Sequence, residues 1–277
     1  MFGPIAVLLP VLLVSFLIYL HRRSKVTNID IAWFSSGSAA SAQEEAVYHR
    51  YLLRHRRHRI LGGAFGAVFA TLVGIRLYQR ITIGIVEDGL PFADIWFCTL
   101  AGILIGAFSA ELFRLNEPPS DTIVASLAER GVEPRLRFIL AARALAVAAL
   151  VVAAAIAAVS NSFDALGVAV IGGMLAAVAE RTRQAVTHRR RPLLSESAKA
   201  VDITIRTFAT DSVTLLQGSA ALLVAAWVTS KLPETDRAAI SLTQFLLVMG
   251  FLVASVVALR KARPYPPRGW ANRRVAA

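Results

Sequence analysis

Apolar residues along this chain come in long uninterrupted blocks separated by short polar stretches. Seven blocks, 2–20, 60–78, 92–112, 138–160, 163–180, 212–230 and 240–259, are 18 to 23 residues each. About 20 apolar residues at 1.5 Å per helical residue span a hydrocarbon core of about 30 Å. Backbone amides in lipid must be paired within the segment, so each block predicts a helix. The blocks do not alternate between apolar and polar positions as the strands of a membrane barrel do. The pattern therefore predicts an all-α, polytopic membrane bundle of seven transmembrane helices. Only Asn161-Ser162 separates the fourth block from the fifth, which predicts a tight helical hairpin.

The polar stretches carry the charges unevenly. If the seven blocks thread alternately, segments 21–59, 113–143, 181–211 and 260–277 fall on one side. They hold eight, five, seven and six Lys or Arg residues, 26 of the 30 in the chain. The other side keeps Arg76, Arg80, Lys231 and Arg237. Lys and Arg accumulate in cytoplasmic loops, so the N-terminus is expected outside and the C-terminus in the cytoplasm. Residues 1–20 lack Lys and Arg, and His21-Arg22-Arg23-Ser24-Lys25 follows. That order fits an uncleaved first anchor rather than a removable signal.

The inner segments have their own helical signals. Ser41-Ala42-Gln43-Glu44 reads as a capping box, and Val47, Tyr48, Tyr51 and Leu52 then recur at helical spacing. Segment 21–59 is thus a linker followed by a basic amphipathic helix over 41–59 at the inner headgroup level, either separate from or continuous with the first helix of the six-helix bundle of 60–259. Its Arg50, Arg54, Arg56, Arg57 and Arg59, with Arg189, Arg190 and Arg191, form the expected lipid-interface basic cluster. Loops 113–137 and 181–211 each contain a short serine-started helical pattern, and Glu111 and Glu180 occupy matching block ends, as in a parallel internal repeat. The tail 260–277 is polar and proline-rich and is expected to be disordered or lipid-bound. Small residues every fourth position, Gly62, Gly66, Ala70 and Gly74 in the second block and Gly102 and Gly106 in the third, form the expected helix-packing seam.

Composition changes this picture little. The chain has 277 residues, 56% hydrophobic, with a net charge of +12 and a mean hydropathy of +0.59. Because the positive charge flanks apolar spans, it points to anionic lipid and not to nucleic acid. The single cysteine, Cys98, permits no intramolecular disulfide.

Chemistry is harder to find. Ionisable residues at mid-span mark ion or proton paths; here Arg76, Asp94, Glu111, Arg143, Asp164 and Glu180 all lie near span ends. Gln217 and Gln244 are the most central polar groups, expected to bond between helices. His49, His55 and His58 stand among arginines whose field opposes a divalent cation. Glu44-Glu45 with Arg50 is one residue off the spacing of CAAX-type membrane proteases and lies in a polar loop. No zinc-protease H-E-x-x-H, nucleophile elbow or phosphate-cradling glycine loop occurs. No catalytic residue, metal or cofactor is expected.

Arg189-Arg190-Arg191-Pro192, then Ala200, Asp202 and Ile205-Arg206 before another span, resembles a layout recurring in multi-pass proteins of arginine- and alanine-rich actinobacterial genomes. The resemblance covers residues 180–230 and implies an inner-membrane location without an assigned activity. The expected function is a non-enzymatic component of the inner membrane whose basic cytoplasmic face docks on anionic lipid or on a cytoplasmic partner of a transport complex. A permease for a small or lipophilic solute is the alternative.

Overall fold

The computed structural model describes residues 15–16, 18–35, 40–77, 91–112, 136–160, 163–187, 196–232, 237–267 and 269–270. The first predicted span, the predicted helix after Pro118-Pro119 and the triplet Arg189, Arg190 and Arg191 lie essentially or wholly outside them. A short helix α1 (Asn28–Phe34) precedes six long ones: α2 (Ala42–Leu77), α3 (Pro91–Glu111), α4 (Leu136–Ser160), α5 (Phe163–Thr187), α6 (Glu196–Ser230) and α7 (Ala238–Lys261). The described secondary structure is all helical. Among the described residues, four helical segments are long and apolar enough to cross a membrane: Leu136–Val159, Ala165–Thr187, Ala198–Ser230 and Ala238–Lys261. Ile95–Glu111 is a shorter apolar helix.

Neighbouring long helices run antiparallel, and their contacts fix the register. On α2 and α3, His58 faces Gly106, Gly62 faces Gly102 and Gly66 faces Cys98. As the position on α2 advances by four, that on α3 falls back by four. The backbones approach so closely that a Cβ on Gly62 would collide with the Gly102 carbonyl, and one on Gly106 with that of His58. Glycine costs helix propensity, but here it lets two helices meet backbone to backbone. Ala70 is half-buried against the main core.

Helices α4 and α5 form the predicted hairpin. Arg143 pairs with Glu180, each 17 residues from the facing helix ends at Ser160 and Phe163. Helices α6 and α7 are stitched by reciprocal bonds in which Ser219 Oγ donates to the Ser255 carbonyl and Ser255 Oγ to that of Ser219, both at 2.8 Å. Gln244 Nε2 donates to the Thr229 carbonyl at 2.9 Å, and Gln217 Nε2 reaches from α6 to Glu180 on α5.

Helix α6 is the centre of the bundle. Its apolar window is 83% buried, against 22% for α4 and 17% for α7. Trp227 stacks on Phe97 of α3 at 5.4 Å between centroids. The outward faces of the peripheral helices expose Phe65, Phe69, Val151, Leu242 and Phe245, as expected of helices whose solvent is apolar.

Two helices outrun a bilayer. At 1.5 Å per residue, the 36 residues of α2 measure about 54 Å and the 35 of α6 about 52 Å. Their charged halves project together from one end of the bundle. There α1 wedges between them, and Ile31, Phe34, Tyr48, Tyr51, Leu52, Val201 and Ile205 form a second, smaller core. Residues 42–59 are therefore continuous with the second predicted span. They are the lower half of α2, and their apolar face meets protein. The Ser41 capping box is present: the Ser41 amide donates to Glu44 Oε2 at 2.7 Å and the Glu44 amide to Ser41 Oγ at 3.4 Å. A second box, Thr27 with Asp30, starts α1.

Candidate functional site

Two polar clusters sit at the end of the bundle where α3, α5 and α7 finish and where α2, α4 and α6 begin. The first is sealed. Glu111, the last residue of α3, is 1% exposed and His55 is 0% exposed. Tyr51 donates its hydroxyl to Glu111 Oε2 at 2.9 Å, and His55 Nε2 lies 3.3 Å from the same oxygen. Tyr51 and His55 are one turn apart on α2, so both reach a single acceptor on α3. Phe208 of α6 packs edge-on against both rings. His58, another turn up, bonds through Nδ1 to Ser109 Oγ at 2.7 Å. Burial, with the nearby Arg54 and His55, holds the His58 imidazole below its ordinary pKa, so it is neutral at physiological pH.

Arginines extend this cluster to the chain ends. Arg56 pairs with Asp30 of α1 at 2.8 Å, donates to the Lys25 and Pro264 carbonyls, and stacks 3.9 Å from the Tyr265 ring centroid. Tyr265 in turn donates to the Arg23 carbonyl at 2.9 Å. Arg59 donates to the Ala262 carbonyl, the C-cap residue of α7, and Ser212 Oγ donates to the same oxygen at 3.4 Å. A cation at the carbonyl end of a helix satisfies orphan acceptors and meets the negative pole of its dipole. Burial pushes the Arg59 guanidinium down to about 10 against the pull of Glu111, which leaves it charged. Burial alone would raise the Asp30 carboxyl. Its hydrogen bonds to Arg56 and Thr27 and the Arg56 charge outweigh that and hold it below its ordinary value.

The arginines expected on one lipid-facing surface are thus divided. Arg50 and Arg57 are exposed, Arg54 is half-buried with Nη2 on the Ser109 carbonyl, and Arg56 and Arg59 are buried at 2% and 8% exposure. The reason is the periodicity of α2. Positions 52, 55, 56 and 59 fall on the stripe that faces α1, α3 and α6. Ala262, Pro264 and Tyr265, within the tail expected to be disordered or lipid-bound, are held by Arg59 and Arg56 instead.

The second cluster is open. Arg143 grips Glu180 with Nε at 3.0 Å and Nη2 at 2.5 Å. Arg183 adds Nη2 at 2.7 Å, and Gln217 Nε2 adds 3.2 Å. Beside this cluster runs a groove of about 380 Å³ between α4, α5 and α6, lined by six alanines together with Val147, Leu150 and Val224. Arg143, Glu180 and Gln217 form its polar end. Helix α6 is its buried floor, and Val147, 60% exposed, marks its open side. Glu111 and Glu180, matched in the sequence, therefore belong to different sites. Among the described residues, no group of three His, Cys, Asp or Glu side chains is placed to hold a metal.

Neither a family model, a curated protein nor a solved structure matches the chain.

Proposed function

We propose that this protein is a non-enzymatic component of the cell's inner membrane, threaded seven times with its N-terminus outside. The charged halves of α2 and α6, braced by α1, then form a cytoplasmic platform. That platform docks on an acidic surface, either anionic headgroups or a cytoplasmic partner of a transport complex. One observation carries the reading: the buried arginines are consumed in internal bonds, while a second set remains outward. Arg57, Arg137 and Arg181 are exposed at the same end of the bundle, as is Arg50, where exposed acids among the described residues are Glu45 and Asp211. Fields of one sign steer partners of the other.

Crosslinking through Lys25, Lys199 and Lys261 in native membranes tests the reading. The expected result is a recurrent acidic neighbour whose cross-links weaken in an Arg50→Glu, Arg57→Glu variant. Unchanged cross-links in that variant contradict docking through this face.

The alternative reading, a permease for a small or lipophilic solute, draws on the groove beside Gln217. Solute flux in proteoliposomes that stops when Ala146→Phe fills the groove would favour it over docking.

A further inference from the structure

Arg50, Arg54, Arg57, Leu61, Phe65 and Val68 follow one another along α2 at intervals of four, three, four, four and three residues. At about 100° per residue, all of them fall within a stripe about 80° wide. Its upper half is apolar and outward: Leu61, Phe65 and Val68 are 47%, 72% and 56% exposed. Arg50 and Arg57 are exposed on the lower half, with Arg54 half-buried between them. The glycines that meet α3, Gly62 and Gly66, lie on another face of the helix.

The lower half is cationic without a counter-charge. Arg50 Nε donates to the Ala46 carbonyl at 3.3 Å, and Arg54 Nη2 to the Ser109 carbonyl at 3.2 Å. Among the described residues no carboxylate pairs with Arg50, Arg54 or Arg57. Glu44 is engaged by the Ser41 cap, and Glu45 lies about 140° round the helix from Arg50. Each guanidinium has five donors, so Arg54 can bind phosphate oxygens while it keeps the end of α3 capped. That cap also fixes where its charge sits.

The stripe therefore asks for an anion and an apolar body in one molecule. A soluble acidic partner would cover the arginines and leave Leu61, Phe65 and Val68 bare. A second copy threaded in the same sense would set the same arginines against one another across a two-fold axis. An anionic lipid meets both halves. From Arg57 to Val68 the helix rises about 16 Å, close to half of a hydrocarbon core of about 30 Å. The apolar half is thus as long as the chains of one leaflet are deep.

We infer that α2 carries an anionic glycerophospholipid on this stripe, its phosphate held by Arg54 and Arg57 and its acyl chains lying along Leu61, Phe65 and Val68. The inference rests on the docking reading above and names an anionic headgroup as the acidic surface that this part of the platform meets.

The test is photolabelling of the full chain in nanodiscs of equal phosphatidylglycerol and phosphatidylcholine. One lipid or the other carries a diazirine in its acyl chain, and the adducts are mapped by peptide mass spectrometry. One Lys or Arg near an anionic surface changes partitioning about fivefold, so the phosphatidylglycerol-to-phosphatidylcholine adduct ratio at residues 61–68 should exceed that at the outward residues 147–151 of α4 by about fivefold or more. Arg54→Gln and Arg57→Gln, the second at an exposed position where folding is not at stake, should each lower it toward the α4 value. Arg137→Gln, an exposed charge on α4, should leave the ratio at 61–68 unchanged, and an excess of inorganic phosphate should not displace the lipid. Equal ratios on the two helices overturn the proposal, including the case in which a second copy covers the stripe. So does an enrichment that survives Arg54→Gln and Arg57→Gln together, or one that falls as far with Arg137→Gln, which is diffuse attraction to a basic rim. Displacement by phosphate also overturns it, since the site would then hold a free anion. Nanodiscs hold no other protein and expose both faces, so this site can fail while cross-linking to a cytoplasmic neighbour stands, and the reverse.

Discussion

Arg56 holds more of this molecule together than any exposed arginine can. It ties α1, the chain before α1 and the segment after α7 to the lower half of α2. Breaking a buried pair strands the remaining charge and costs about 3–5 kcal/mol. Arg56→Ala should therefore lower the thermal unfolding midpoint in detergent sharply, whereas Arg57→Ala, at an exposed position, should barely move it. The Asp30 partner adds a pH dependence. Its folded pKa lies below the ordinary 3.8, so the unfolded chain takes up the proton first. The stabilisation is complete above about pH 4 and is lost as the pH falls through the lower folded value. Asp30→Asn should remove that acid-side loss. His58 acts in the same direction in a higher window. Its folded pKa is depressed from 6.5, so the unfolded state binds the extra proton and stability falls as the pH drops below about 7. Unfolding midpoints at pH 7.5 and 5.5 should differ less in His58→Gln than in the parent chain.

At the scale of elements, the α2–α3 crossing depends on missing side chains. Gly102→Leu has no room against the Gly62 carbonyl and should abolish the monodisperse folded fraction in size-exclusion chromatography; Gly167→Leu, where nothing lies within 4 Å, should not. The reciprocal Ser219–Ser255 pair invites a double-mutant cycle to alanine. Hydrogen bonds between membrane helices average about 0.6 kcal/mol; each single change should cost about that much and the two costs should nearly add, because each hydroxyl bonds the other residue's backbone carbonyl, which alanine keeps. Much of this level was legible in the chain. The glycines at 62, 66, 102 and 106 stand in helical register, the Asn161-Ser162 link is too short for anything but a hairpin, and Ser41 with Glu44 is a cap that the backbone uses. Less legible was the direction of the arginines. Composition marks residues 50–59 as basic, but only the three-dimensional packing decides that Arg56 and Arg59 turn inward while Arg50 and Arg57 turn out. The signal that was available is Thr27-Asn28-Ile29-Asp30, a second capping box. It places a carboxylate at the start of a short helix near α2 and so offers Arg56 a partner. His55 and Glu111 could not be joined from sequence, because 56 residues separate them and the α2–α3 register that joins them is set by the glycines.

At the scale of the whole molecule, alternating helices gather the starts of α2, α4 and α6 with the ends of α3, α5 and α7. Every cluster described above lies at that shared end: the sealed Tyr51–His55–Glu111 group, the clasp on Ala262 and Pro264, and the polar mouth of the groove. Among the described residues the exposed Lys and Arg side chains lie there too, apart from Arg237 at the start of α7. Such segregation follows if the apolar lengths were sorted by a bilayer that Lys and Arg do not readily cross. The platform and the proposed docking both follow from that threading. Single cysteines in a Cys98→Ser background test it directly. Ala46 and Ala239 are both exposed, lie at opposite ends of the bundle and carry no charge, so replacing either leaves the charge pattern intact. With a membrane-impermeant maleimide applied to intact cells, Ala239→Cys should be labelled and Ala46→Cys should react only after the membrane is permeabilised. Labelling of Ala46→Cys in intact cells would contradict the account.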